Sequence, residues 1–308
     1  NAGLSLEANR DKVRFMLVGY YLDLFKQQNR LQVYEKNIEQ TRQVLKDLRA
    51  KEGEGIVLKN DITRYELLLS NLELTHTQIR NGITILNNHL TTTLGLPADI
   101  RIVPDTTILS RVLPVEDDAS WATVAYTNSP ALKQMSLALQ MTRHQDNIIR
   151  SERIPKIALF AGNRFDGPII IEVPPINKNF NYWYVGIGIS YKFDALFKNN
   201  KKLKQARIAT RKAEEDRLLA DEQVSNGIHS AWVELDEAYS RLRTREKSVQ
   251  LAHENYDVVH YRYLNGLSLV TDMLDASNIQ LSSELELTNA RIGILYQYYL
   301  LKRTIGSL

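Results

Sequence analysis

The chain has 308 residues, 44% hydrophobic and 24% charged, the balance of an ordered protein with room for a large core. Its 39 basic and 36 acidic side chains interleave and nearly cancel, so the charge does not point to nucleic acid. There is no cysteine, which removes disulfides, thiolate chemistry and a lipid-anchor cysteine from this segment, and no apolar run reaches the ~18 residues of a membrane-spanning helix.

From residue 13 an apolar residue recurs every seven positions, at Leu17, Leu24, Leu31, Ile38 and Leu45. A companion row three residues later runs through Tyr20, Gln27, Tyr34, Thr41 and Leu48. A paired seam of this kind predicts a coiled-coil helix. A 3/4 spacing then returns at Leu69, Leu72, His76, Ile79, Ile83, Leu86 and Leu90, and Gly53 and Gly55 between the arms permit a helix reversal. At ~1.5 Å per residue each arm spans roughly 55–60 Å.

Gly95-Leu-Pro97 stops this first hairpin, and 98–118 reads as a Pro-punctuated linker. Residues 119–153 are helical, with Pro130 tolerated in a first turn that begins near Ser129. From Tyr182 to Phe193 the texture changes to strict alternation. Trp183, Val185, Ile187, Ile189, Tyr191 and Phe193 face one way, and Tyr182, Tyr184, Gly186, Gly188, Ser190 and Lys192 the other. A partner strand lies at 155–165, and Pro168, Pro174 and Pro175 fill the loop between.

Such a strand can cover a soluble core. Clean alternation over about twelve residues with terminal aromatics fits an outer-membrane strand better. Two strands cannot close a barrel, and an open edge is untenable in lipid, so the barrel reading requires strands from further chain segments or copies.

Helix resumes near Phe197 and runs to a second turn at Tyr263-Leu-Asn-Gly266-Leu-Ser268-Leu, with a seam at Ile228, Leu235, Leu242, Val249 and Tyr256. This hairpin repeats the first. Laid over each other without a gap at an offset of 211, residues 13–97 and 224–308 share 18 identities in 85 pairs, among them Gly55/Gly266, Asp61/Asp272, Glu73/Glu284 and Gly95/Gly306. A period this long marks a duplicated structural half rather than a solenoid. With equal halves, about 114 residues are expected to precede residue 1, so the chain reads as a fragment or a trimmed mature protein.

The fold class expected is therefore mainly α: two long antiparallel coiled-coil hairpins from an internal duplication, with one β-hairpin. Its divisions are 1–97 (first hairpin), 98–118 (linker), 119–153 (upper helix), 154–195 (transmembrane β-hairpin) and 196–308 (second hairpin).

The segment from Tyr263 through Gly266, Asp272, Leu274 and Asp275 to Ala276 has the form Y-x-x-G-x-x-x-x-x-D-x-L-D-A, and Gly55 to Asp61 follows the sister pattern G-x-x-x-x-x-D. With the duplicated layout, these motifs resemble the TolC-like outer-membrane efflux proteins. The resemblance covers nearly the whole chain. It implies a homotrimer in the bacterial outer membrane, whose strands close one barrel and whose helices form a periplasmic tunnel. It further implies a passive exit duct for efflux or type I secretion that docks a periplasmic adaptor and an inner-membrane pump. This chain supplies two of the four strands expected per copy.

By the same resemblance, Asp272 and Asp275 form an acidic, cation-selecting constriction. As acids in the first turns of a helix they also fit stabilisation by the helix dipole. Asp61 and Tyr263 match a pair that ties the two hairpins together at the closed tip. The family's second link has a basic residue where this chain has Ser268, so a neutral contact between Ser268 and Asn60 is expected in its place. Gly55, Ile56, Val57 and Leu58, with Gly266, Leu267, Ser268 and Leu269, are the expected adaptor-docking tips.

His253 and His260, seven apart on one helix face, could ligate a cation, though packed or solvated histidines are the commoner outcome. Neither a cofactor nor a resident metal is expected. No G-x-S-x-G, H-E-x-x-H or P-loop occurs, which leaves an enzyme reading without residues. The competing reading is a soluble periplasmic coiled-coil adaptor. Two complete hairpins with the strands between them argue against it.

Overall fold

A computed structural model describes all residues except 1, 54, 56, 106–112, 114–117, 169–172, 176 and 194, and the side chains of 118, 119 and 195–198. The elements are α1 (Ala2–Gly53), α2 (Lys59–Leu94), α3 (Asp118–Asn128), α4 (Pro130–Ser151), β1 (Lys156–Asp166), β2 (Phe180–Ser190), α5 (Ala195–Leu264) and α6 (Val270–Thr304). They divide into two compact units, residues 1–130 with 222–308, and residues 131–221.

The first unit holds both hairpins. The heptad seam of α1 is buried or half-buried along its length, and α1 packs against α2 on one side and α6 on another. The second seam packs in turn: Ile228, Leu235 and Ala238 of α5 cluster with Ile294, Leu301 and Ile305, and Trp121 and Ala125 of α3 complete the cluster. Leu24 and Leu235, equivalent across the repeat, are both fully buried. Truncating either to Ala should cost about 2–5 kcal/mol.

The duplication is visible in the turns. Helices α2 and α6 start at Lys59 and Val270, which are equivalent positions. They end alike as well. Leu96 N–H donates to Thr91 O (2.8 Å) and Ser307 N–H to Lys302 O (2.9 Å), the six-to-one bond that closes a helix on a left-handed residue. The linker starts by crossing the first hairpin, since Ile102 N–H donates to Asn87 Oδ1 and Asp105 N–H to Tyr21 Oη, both at 2.8 Å.

The second unit contains α4, the strand pair and the first turns of α5. Leu132 and Leu139 of α4 and Leu203 and Ala206 of α5 are buried. Arg143 pairs with Glu214 at 3.0 Å, and Asn199 Nδ2 donates to Glu152 Oε2 at 2.9 Å. Strands β1 and β2 are antiparallel, in register from Lys156↔Ser190 to Asp166↔Phe180. Helix α5 then runs 70 residues, about 105 Å at 1.5 Å per residue, into the second turn.

Three expectations need correction. The helical stretch 119–153 is two helices broken at Ser129, because proline disfavours helical geometry in the residue before it and Pro130 opens α4. Helix α5 begins at Ala195, slightly earlier than expected. Strand β2 ends at Ser190, so Tyr191 and Phe193 lie beyond the sheet. Ser190 pairs with Lys156, the first residue of β1, and the preceding Pro155 has no N–H with which to extend the ladder.

Candidate functional site: the hairpin tips and the strand pair

Each tip turns on one glycine. Gly55 and Gly266 have φ of +74° and +72°, a region costly for residues with a Cβ. Gly55 N–H donates to Glu52 O at 2.9 Å, while Leu267 N–H reaches back to Arg262 O at 2.8 Å. After each glycine the apolar side chains of Leu58, Leu267 and Leu269 are exposed, and Val57 and the polar Ser268 are half-buried. Ile56, the remaining expected docking residue, lies outside the described residues.

Beneath the turns one apolar cluster joins both hairpins. Val44, Leu45 and Leu48 of α1, Ile62 and Tyr65 of α2, Tyr263 of α5, and Val270 and Met273 of α6 pack together. Tyr65 and Tyr263 are buried, and neither hydroxyl has a hydrogen-bond partner among the described residues. Burial pushes the Tyr263 pKa above its ordinary value, and the carboxylates of Asp47 and Asp61 push it further. The phenol is thus held neutral, with a proton to donate. Lys51 Nζ sits 4.5 Å from the centre of the Tyr263 ring.

Asp61 and Asp272 occupy equivalent third positions of α2 and α6, but their carboxylates differ. Asp272 Oδ2 accepts from Leu269 N–H at 3.0 Å and from Ser268 Oγ at 2.8 Å. The bond from Leu269, then that from Ser268, then the charge of Arg262 hold the Asp272 pKa below its ordinary value. Half-buried Asp61, whose loop has Val57 at the position of Ser268, makes no side-chain hydrogen bond among the described residues. Ser268 is therefore joined to Asp272 and not to exposed Asn60. Both Asp272 and Asp275 face solvent on the single chain.

The histidines serve within their hairpin. His253 Nδ1 lies 3.0 Å from Gln280 Nε2 and His253 Nε2 lies 3.0 Å from Glu284 Oε1, while His260 stacks on Tyr256 with ring centres 5.8 Å apart. Among the described residues no cluster of three or more His, Asp or Glu side chains could hold a metal ion.

The strand pair has two unlike faces. The pairs Ile157/Ile189, Leu159/Ile187, Ala161/Val185 and Asn163/Trp183 share one face, and their large apolar side chains are exposed. On the other face Phe160 covers Gly186 and Gly188, and Tyr184 covers Gly162. The outward residues of β1 escaped the sequence reading, although Ile157-x-Leu159-x-Ala161 carries the same alternation. Tyr65 escaped too. Its signal was position, one turn after Asp61 on α2.

A family model of outer membrane efflux proteins matches residues 121–307. Among solved structures, the outer-membrane channel OprN is 18% identical with a TM-score of 0.82 over 100% of this chain and 68% of its own. The outer membrane protein VceC of Vibrio cholerae is 15% identical, with a TM-score of 0.83 over 99% of this chain and 72% of its own. The CmeC outer membrane channel of Campylobacter jejuni is 14% identical, with a TM-score of 0.74 over 99% of this chain and 64% of its own. No curated protein sequence gives a significant match. At these identities the structures establish the fold, two helical hairpins with an intervening strand pair, and the family match covers more than half of the chain. The chain belongs to the outer membrane efflux protein family and is an efflux-channel protein of the outer membrane.

Proposed function

We propose that this chain is part of a passive exit duct, assembled as a homotrimer, that docks a periplasmic adaptor and an inner-membrane pump. The observation that carries this reading is the strand pair. One face carries exposed apolar side chains along most of its length, with Asn163 toward one end, the other is packed with aromatics over glycines, and both outer edges are unpaired among the described residues. In lipid every backbone polar group needs a partner, so these strands are usable only when other strands close the sheet. Trp183, Val185, Ile187 and Ile189 then face lipid, with Ile157 and Leu159 beside them.

The tips supply the closure of the duct. Leu58, Leu267 and Leu269, with Gly55, Ile56, Val57, Gly266 and Ser268, offer the adaptor two equivalent apolar turns. The Tyr263 hydroxyl, neutral and unpartnered beneath them, donates to Asp61 when the tip closes. Asn60 and Ser268 flank that link, and Asp272 and Asp275 from each copy line the constriction and favour cations. Purified protein added to a planar bilayer under a salt gradient should give stepwise, cation-selective conductance. Absence of steps from correctly folded, assembled protein would overturn the duct reading.

A further inference from the structure

The internal repeat makes the contact between the two hairpins an interface with a missing twin. Within the chain, α1 of the first hairpin packs on α6 of the second. Shifting both partners by one repeat replaces α1 with α5 and α6 with the α2 of another hairpin. No third hairpin exists in the 308 residues. Between copies of these residues, the twin contact joins α5 of one copy to α2 of the next.

Burial divides accordingly. Leu22 of α1 is 3% exposed, whereas its equivalent Val233 on α5 is 44% exposed. The side chain of Glu284 on α6 is 12% exposed, and that of its equivalent Glu73 on α2 is 47% exposed. The residue types also change together. Within the chain Phe25 packs against Ile292 and Leu295, an apolar trio. The equivalents are Asp236 on α5 and Asn81 and Thr84 on α2, all exposed, an acceptor opposite two donors.

The charges complete the pattern. Glu284 accepts from two sides: from His253 of its own hairpin at 3.0 Å and from Lys36 of the other hairpin at 3.0 Å. Glu73 has the matching partner in its own hairpin, since Arg42 stands where the repeat places His253 and bonds it at 2.7 Å. The equivalent of Lys36 is Lys247, unchanged in type, exposed, and without an ion-pair partner among the described residues of the chain. We infer that Lys247 of one copy pairs with Glu73 of the next, at the centre of an inter-copy seam between α5 and α2 that repeats the α1–α6 contact. This inference rests on the proposal that copies assemble, and adds which surfaces meet and in what register.

Cross-linking tests it in the full protein extracted from membranes. The chain contains no cysteine, so introduced thiols are the reactive ones in this segment. With Lys247→Cys and Glu73→Cys together, a short bismaleimide should yield covalent oligomers on a denaturing gel. With Lys36→Cys and Glu284→Cys it should link within the chain, leaving the mass unchanged. Charge exchange is the second test. Lys247→Glu alone, or Glu73→Lys with Arg42→Glu to keep the ion pair within the hairpin, should weaken association by up to about fivefold per seam, the worth of an exposed ion pair, and the double exchange of both sides should restore it. An oligomer of normal native mass without the 247–73 cross-link, or a double exchange no better than either single one, would overturn the seam while leaving assembly intact. A monomer under all conditions would overturn assembly itself, and the seam with it.

Discussion

Phe160 lies directly over Gly186, so that a Cβ at Gly186 would stand 2.5 Å from Phe160 Cζ. Tyr184 covers Gly162 in the same way, with its hydroxyl 2.6 Å from the position of a Cβ there. Aromatic rings thus fill the space that the glycines leave on one face of the strand pair. Gly186→Ala and Gly162→Ala should push these rings off the sheet and lower the yield of heat-stable assembled protein in outer-membrane fractions. Gly188→Ala, whose nearest contact is 3.5 Å, should assemble normally. Gel mobility of unheated samples measures the difference.

The opposite face should tolerate no charge near its middle. Ile187 pairs with Leu159 two pairs from the centre of the ladder and is exposed. Ile187→Lys should cost about 2–4 kcal/mol of insertion if this point sits near the bilayer midplane. Ser190→Lys, at the strand end and on the other face, should cost far less. Insertion of each variant into lipid vesicles, followed by protease protection, gives the comparison.

The start of α6 should be sensitive to acid. Hydrogen bonds from Leu269 and Ser268 depress the Asp272 pKa on folding, so the stabilisation is complete above the ordinary value of 3.8 and is lost as pH falls through the lower folded value. Amide exchange at Leu269, normalised to its intrinsic rate, should therefore lose protection in acid. Asp272→Asn should abolish this pH dependence.

The helical architecture was legible because its cause is periodic. A seven-residue seam needs no tertiary information, and Gly55 and Gly266 mark chain reversals that few other residues allow. The strand ends and the helix break were less legible. Where β2 stops depends on Pro155, just ahead of the other strand, and the break at Ser129 depends on Pro130, a proline compatible with either a break or a first turn. The candidate site residues were singled out by their motif, but their bonds were not. Ser268 pairs with Asp272 four residues away, a local geometry that spacing permits yet does not require. The shared burial of Tyr65 and Tyr263 arises only when both hairpins meet.

Because Asp272 and Asp275 are exposed on the single chain, replacing both with Ala should leave helix packing intact. In the assembled duct it should lower the cation-to-anion permeability ratio, since the carboxylate field at the constriction is gone. Reversal potentials under a salt gradient read this out. An unchanged ratio would assign the two residues to the helix start alone.

The most direct test of a duct closed at its tips is single-channel conductance of the assembled protein with Tyr263→Phe. The Tyr263 hydroxyl has no partner among the described residues of the single chain, so its removal should not destabilise the fold and thermal unfolding should be unchanged or slightly raised. In the assembled channel the loss of its bond to Asp61 should favour the open state, and conductance should rise, with Asp61→Asn acting in the same direction. Conductance equal to that of the unmodified protein in both variants would show that the tips are not held closed by this pair.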